Sequence, residues 1–354
     1  MTRYDKGQEE VMNRIDLKQL TSGQTLDFIK KAGEKPFRAG QIRKWLFENG
    51  VSDFNKMTNL SKSLRSRLNE IATVTDLKEE ISLESEDGTL KFLYRLDDGL
   101  FIESVLIPDG KRMTLCVSTQ VGCKLNCRFC LTGLAGFKRD LTAGEIVDQV
   151  IKARGKADGG RVTNVVLMGM GEPLDNFKNT VQALKIMTDP DFRLVGVRKI
   201  TLSTAGVAPG IDLLAQEFPK VKLAVSLNTC DDAVRDDMMP INRKYPLKTL
   251  ASSLARFPLP KGRRITIEYV IISGINDSDE DAEKLKRFAF KFPSKINLIP
   301  YNECQEISYA RPSRRAVERF ADILISGGHS VFIRESRGSD IMAACGQLRK
   351  TAKT

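Results

Sequence analysis

The chain has 354 residues, 41% of them hydrophobic and 29% charged, which suits a globular protein of one large domain plus a smaller one. No apolar run approaches the roughly 20 residues of a membrane-spanning helix, and the first ten residues carry no apolar signal core; a cytoplasmic protein, a monomer without a membrane partner, is expected. Lys and Arg number 56 against 45 Asp and Glu, a net charge of +11 that suits a polyanionic partner such as RNA.

Residues 1–75 read as helices. Ile42, Trp45 and Leu46 recur at helical spacing, as do Leu60, Leu64, Leu68 and Ile71. Lys30, Lys31, Lys35, Arg38, Arg43 and Lys44, then Lys62, Arg65 and Arg67, predict a basic outer face and hence an RNA-binding accessory domain; Arg311, Arg314, Arg315 and Arg319 form a second basic group. A solvated helix face is the plain alternative for each group. Residues 76–112 predict an antiparallel β extension. Asp87-Gly88, Asp98-Gly99 and Asp109-Gly110 recur at eleven-residue intervals between apolar runs and predict hairpin turns. Alternation places Glu103 on one face with Phe101, Val105 and Ile107, as either an edge residue or a carboxylate tuned for proton transfer.

Residues 113–336 alternate strands and helices. Strands are expected at Met113–Ser118, Val162–Met168, Lys199–Ser203, Val221–Leu227, Arg264–Ile272, Lys295–Pro300 and Ser330–Arg334, with helices such as Ala143–Arg154, Asn176–Met187, Ser278–Phe292 and Ser313–Ser326. Thr142 and Glu145 form a capping-box pattern. Repeated βα units mean an α/β fold with a parallel sheet, an open barrel or a doubly wound sheet, whose ligands sit at the carboxyl ends of the strands. The expected strands end in Gly169, Gly171 and Glu172, then Ser203, then Ser226, Leu227 and Asn228, then Asn302: small or polar groups that can meet a ligand, Glu172 by accepting from an ammonium. Residues 337–354 form a C-terminal loop and tail.

Cys123, Cys127 and Cys130 follow the first parallel strand with C-x3-C-x2-C spacing. Three thiolates on a tight loop fit three corners of a [4Fe–4S] cluster and leave one iron open for a substrate or cofactor. Zinc would need a fourth ligand from His329, the only histidine, or from a distant cysteine. Core packing accounts for Cys230 and Cys304; Cys116, beside the cluster loop, shares that plain reading. Cys345, between small residues and a glycine, reads equally as core or as a nucleophile on an accessible loop.

Together the stretches Gln120–Cys130, Met168–Pro173, Thr201–Thr204, Thr266–Val270, Lys295–Pro300 and Ala343–Gln347 resemble the radical S-adenosylmethionine (SAM) enzymes, and among them the dual-specificity RNA adenine-C2 methyltransferases. The likeness runs from about Lys35 to Gln347. It implies a partial (β/α)6 barrel with a [4Fe–4S] cluster on Cys123, Cys127 and Cys130. It also implies SAM held by Gly171, Glu172, Ser203, Ser226, Leu227, Asn228 and Asn302. Cys345 corresponds to the methyl-carrying thiol, Cys116 to its resolving partner and Glu103 to the proton acceptor. One departure is Asn228, where the family usually has histidine.

The implied reaction suits adenine C2, which is electrophilic and bears no acidic proton. One SAM methylates Cys345, and a second gives a radical that activates the S-methyl group. The resulting protein–RNA link is released by loss of the C2 proton and attack of Cys116, leaving a Cys116–Cys345 disulfide. The implied substrates are a large-subunit rRNA adenosine and the adenosine 3′ to the tRNA anticodon. A one-electron reductant and a disulfide reductant are the implied partners. The rival readings are a C8-directed rRNA methyltransferase, a non-catalytic iron–sulfur RNA-binding protein and a zinc-stabilised module.

Overall fold

A computed structural model describes residues 14–344 and 346–348. Ten strands form one sheet and lie side by side in the order in which they occur in the chain. They are β1 (Lys78–Glu84), β2 (Leu90–Arg95), β3 (Phe101–Asp109), β4 (Arg112–Cys116), β5 (Asn164–Leu167), β6 (Ile200–Thr204), β7 (Lys222–Ser226), β8 (Ile265–Ile271), β9 (Ser294–Pro300) and β10 (Val331–Ile333). Pairing is antiparallel from β1 to β4 and parallel from β4 to β10. This sequential order gives the open-barrel form of the expected α/β fold. A doubly wound sheet would reverse its strand order partway across.

The three Asp-Gly pairs sit at the three antiparallel turns. Gly88 and Gly99 adopt φ of 78° and 79°, a left-handed conformation that glycine takes without steric cost. Asp87 and Asp98 accept from the backbone N–H groups of Thr89 and Leu100, fixing each turn from its own side chain. β1 is exposed along its whole length, and its Lys and Glu residues discourage pairing with another chain at this edge.

Six crossovers cover the convex side of the parallel strands. They carry α4 (Ala143–Arg154), α5 (Phe177–Met187), α6 (Ala208–Glu217), α7 (Asp232–Met238), α8 (Leu247–Arg256), α9 (Asp279–Ala289) and α10 (Arg314–Ser326), preceded in the chain by α1 (Ser22–Lys31), α2 (Phe37–Arg43) and α3 (Lys62–Ile71). The capping box predicted for α4 is present, with Glu145 reaching back to the Thr142 N–H. The apolar residues of α1–α3 join the barrel's own core in one continuous cluster.

Two buried ion pairs fasten this helical module to the barrel. Lys18 meets Asp148 of α4 at 2.5 Å, and Arg43 meets Asp189, just beyond α5, at 3.2 Å. Arg43 was expected on the basic outer face and is instead buried. Its guanidinium donates to the Leu20 carbonyl and stacks over Phe47 and Phe192. Lys30, Lys31, Lys35, Lys44, Lys62 and Arg67 are exposed as the sequence predicts. Among the described residues no helix is long and apolar enough to cross a membrane.

Candidate active site

The cysteine loop sits at the carboxyl end of β4 and is shaped by backbone contacts. Gly122 has φ of 77°, and a Cβ there would fall 1.7 Å from the Gly136 carbonyl oxygen, so the loop closes only with glycine. The Arg128 N–H donates to the Met238 carbonyl at 3.0 Å, and the Arg128 side chain pairs with Asp237 at 2.7 Å. Cys123, Cys127 and Cys130 are all half-buried. Burial pushes the Cys123 thiol up to about 12, with the Cys130 thiolate adding to the effect. Burial, then the charges of Cys130 and Cys123, raise Cys127 well above the ordinary thiol range. Three thiolates so placed require positive charge among them.

The glycine-rich end of β5 leans on the segment after β4. Gly171 has φ of 96°, and a Cβ on it would stand 2.5 Å from Gln120 Cβ. Glycine is therefore required at this position by the protein's own chain. Glu172 is buried, and both its carboxylate oxygens already accept backbone N–H groups, from Leu174 at 3.0 Å and from Ala205 at 2.7 Å. It thus stitches the end of β5 to the end of β6. Burial raises its carboxyl to about 7 against the pull of those hydrogen bonds.

Ser203 and Ser226 bring their hydroxyls within 3.5 Å of each other at the ends of β6 and β7. Asn228 is fully buried with φ of 61°, a conformation asparagine tolerates. Its side chain accepts from the Val270 N–H at 2.9 Å and donates toward the Met239 sulfur. The side chain that stands where the family usually has histidine is spent inside the protein, and the Asn228 carbonyl accepts from Asn276 Nδ2 at 2.5 Å. Asn302, after β9, accepts from Ser336 Oγ and from Arg311.

Arg235 is a residue that sequence reasoning missed. It is buried, and its guanidinium donates to the carbonyls of Ala205 at 2.7 Å, Ser226 at 3.3 Å and Leu227 at 3.1 Å, so it fixes the ends of β6 and β7. Burial lowers its pKa to about 10, opposed by the nearby Cys127 and Cys230 thiolates. Its only sequence signal is a place three residues before Met238, on the apolar side of α7.

Cross-strand register gathers a further group. Lys91, Val105, Cys116 and Val166 are successive Cα partners across β2, β3, β4 and β5, and Glu103 lies two residues from Val105 on the same face. Glu103 is buried on an inner strand, so the edge alternative falls away. Lys91 Nζ stands 3.0 Å from Glu103 Oε1 and 3.1 Å from the Met342 carbonyl, tying the C-terminal segment to this face. Asp340 accepts from Ser85 and from the Glu86 N–H, which anchors the same segment on the first Asp-Gly turn. Farther on, the Leu131 N–H donates to the Gly346 carbonyl at 2.8 Å and Thr132 Oγ1 to the Leu348 carbonyl at 2.5 Å. Cys345 lies outside the described residues; the residues on either side of it are bound to the Lys91–Glu103 face and to the cysteine loop.

A family model for the ribosomal RNA large subunit methyltransferase N-terminal domain matches residues 15–74, and one for the radical SAM superfamily matches residues 117–287. The chain is 48% identical over 338 residues to the dual-specificity RNA methyltransferase RlmN of Geotalea uraniireducens, covering 96% of this chain and 97% of that one. The chain belongs to the RlmN family. The RlmN of Pelobacter propionicus is 46% identical over 336 residues, covering 95% and 96% of the two chains. A solved radical SAM methyltransferase from Sphaerobacter thermophilus superposes with a TM-score of 0.90 at 42% identity, over 95% of this chain and 99% of that one. The fold is therefore the radical SAM barrel with the RlmN N-terminal module, and the non-catalytic and C8-directed readings are not favoured.

RlmN proteins, as radical SAM enzymes, take a [4Fe–4S] cluster and SAM, and the residues here fit both. Among the described residues no three His, Cys, Asp or Glu side chains converge as ligands of a single metal ion. A cubane instead takes one thiolate at each of separate corners. Cys123 and Cys127, half-buried and mutually repelling as thiolates, are suited to the positive charge that cluster irons bring. The Ser203 and Ser226 hydroxyls, at the ends of β6 and β7, can offer a polar ligand hydrogen bonds.

Proposed function

We propose that the protein methylates C2 of an adenosine in large-subunit rRNA and of the adenosine 3′ to the tRNA anticodon. One observation carries the reading in a member of this family. Three stretches far apart in sequence, the cysteine loop, the Glu103–Cys116 face and the chain on either side of Cys345, meet at the carboxyl end of one barrel.

In this reading Cys123, Cys127 and Cys130 hold the cluster. Gly171, Glu172, Ser203, Ser226, Leu227, Asn228 and Asn302 surround SAM, with Arg235 setting the strand ends behind them. When bound, the cluster and SAM supply the one-electron chemistry that an electrophilic C2 without an acidic proton cannot obtain from ordinary methyl transfer. Cys345 carries the one-carbon unit to C2. Glu103, kept in place by Lys91, takes the C2 proton. The Cys116 thiolate attacks the Cys345 sulfur: the S–S bond forms, the S–CH2 bond breaks and the methylene takes a proton, which frees the methylated base and leaves a Cys116–Cys345 disulfide. An external thiol reductant must then restore both thiols, and a separate one-electron donor must serve the cluster. A reducing cytoplasm suits this chemistry. The exposed lysines of the helical module hold the RNA backbone, and the target base leaves its stack to reach the site. The catalytic unit is the monomer.

Anaerobic incubation with methyl-labelled SAM, dithionite and unmodified rRNA or tRNA fragments, followed by nucleoside mass spectrometry, tests the assignment. 2-Methyladenosine is the expected product. 8-Methyladenosine would contradict the regiochemistry, and 5′-deoxyadenosine without any methylated base would contradict the choice of RNA.

A further inference from the structure

The amino ends of the parallel strands, opposite the candidate site, carry a row of cations. Each of six adjacent strands contributes one at or beside its start: Arg112 at β4, Arg161 at β5, Lys199 at β6, Lys222 at β7, Arg263 at β8 and Lys295 at β9. Burial and then the charges of Arg263, Lys295, Lys199 and Arg112 depress the Lys222 ammonium, so the cations share one strongly positive region.

Few carboxylates oppose it: buried Glu268 of β8 acts on Lys295 at one end of the row. Asp109 meets Arg112 only at 3.7 Å with both side chains largely exposed, and Glu217 is already paired with Lys185. Two open clefts of about 520 and 600 Å³ run along this rim and share Arg193 and Gly196. Arg198 and Lys220 line the first and Lys199 the second.

Six strands spaced about 4.8 Å apart spread the row over roughly 24 Å. Such a line of cations matches a run of backbone phosphates; a small anion would need donors that converge on one point. A five-residue strand rises about 17 Å, which separates the rim from the carboxyl ends where the target base is read. RNA at the rim is therefore a different segment from the one whose base enters the site.

We propose that this rim is a second RNA-docking surface, taking the phosphate backbone of a helix other than the one that carries the target adenosine. The inference rests on the reading that the protein acts on RNA, and it predicts that a folded, multi-helix RNA is held more tightly than an isolated hairpin.

The test compares the wild-type holoenzyme with R198E/K199E/K220E, all three exposed and outside the site. The probes are a short hairpin bearing the target adenosine and a protein-free multi-helix rRNA fragment containing that hairpin. For the fragment, affinity should fall at least about tenfold, and the slope of log K against log salt should become shallower by about 2–3. Hairpin affinity and methylation should stay unchanged. R198Q/K199Q/K220Q, which adds no repulsion, should show the same change in salt slope with a smaller loss of affinity. Unchanged fragment affinity and slope in both variants would overturn the proposal, as would equal losses on both probes. Failure of the wild type to methylate the hairpin would overturn the RNA-modification reading instead, while the fragment affinities would still decide the rim.

Discussion

Lys91 joins two parts of the site at once, pairing with Glu103 and holding the Met342 carbonyl. Both charges of the pair are almost wholly buried, so replacing the lysine takes a buried cation away from a buried carboxylate, a loss of about 3–5 kcal/mol. Lys91→Met should therefore lower denaturant stability by that order, and Lys91→Met with Glu103→Leu should recover most of it. Equal stability of Lys91→Met and wild type would refute the pairing. Glu172 yields a pH prediction. Its carboxyl titrates near 7 in the folded protein against 4.5 for an unperturbed glutamate, because burial favours the neutral form. The stability linked to it is fully present below about 4.5 and is lost as pH rises through about 7, a change of about 3 kcal/mol. Cluster-free protein should show that slope in urea titrations, and Glu172→Gln should lack it. At this scale the sequence disclosed residue types but not their partners. Alternation placed Glu103 on a face with Val105, yet the diagonal pairing with Lys91 depends on hairpin register. Arg235 escaped notice because a single arginine on a short helix reads as surface until the carbonyls around it are known.

At the scale of elements, turn chemistry and periodicity carried most of the information. The Asp-Gly pairs sit at the antiparallel turns, and the Thr142–Glu145 box starts α4. Less legible were α6, α7 and α8, which are short; α6 opens on Ala-Pro-Gly, a sequence that reads as a turn until the proline is seen in the first helical turn. The helical module illustrates the limit of reading charge along a chain. Arg43 sits among exposed lysines in sequence, but the helical turn directs it inward onto Asp189. Substitutions there should separate accordingly. Arg43→Gln should destabilise the fold by about 3–5 kcal/mol, measured by urea denaturation, since it strands the largely buried Asp189. Lys30→Glu with Lys35→Glu and Lys44→Glu should leave stability and SAM cleavage intact while weakening RNA binding most at low salt. Unchanged RNA affinity in that triple variant would remove the module from the binding surface.

Across the whole molecule, sequential strand order makes the chemistry possible. The antiparallel extension continues the barrel sheet without a break, and this brings Glu103 and Cys116 onto one face. The C-terminal segment then returns across the Asp87-Gly88 turn and the cysteine loop. Strand spacing indicated a parallel α/β sheet and left the open barrel and the doubly wound sheet as alternatives, which the sequential strand order decides for the barrel. The closure of the C-terminus over the barrel and its cysteine loop was legible only through resemblance, because contacts between residues some 250 apart leave no local pattern. The row of basic strand starts had a different obstacle: its members are scattered singly through the chain and become a rim only when the strands stand side by side. In the proposed reaction Cys345 forms a covalent link to RNA that Cys116 resolves. The most direct measurement is denaturing electrophoresis and intact-mass analysis of Cys116→Ala after anaerobic reaction with substrate RNA. An accumulated protein–RNA adduct joined through Cys345, without release of 2-methyladenosine, is the expected result. Free 2-methyladenosine at the wild-type rate, with no adduct, would contradict it.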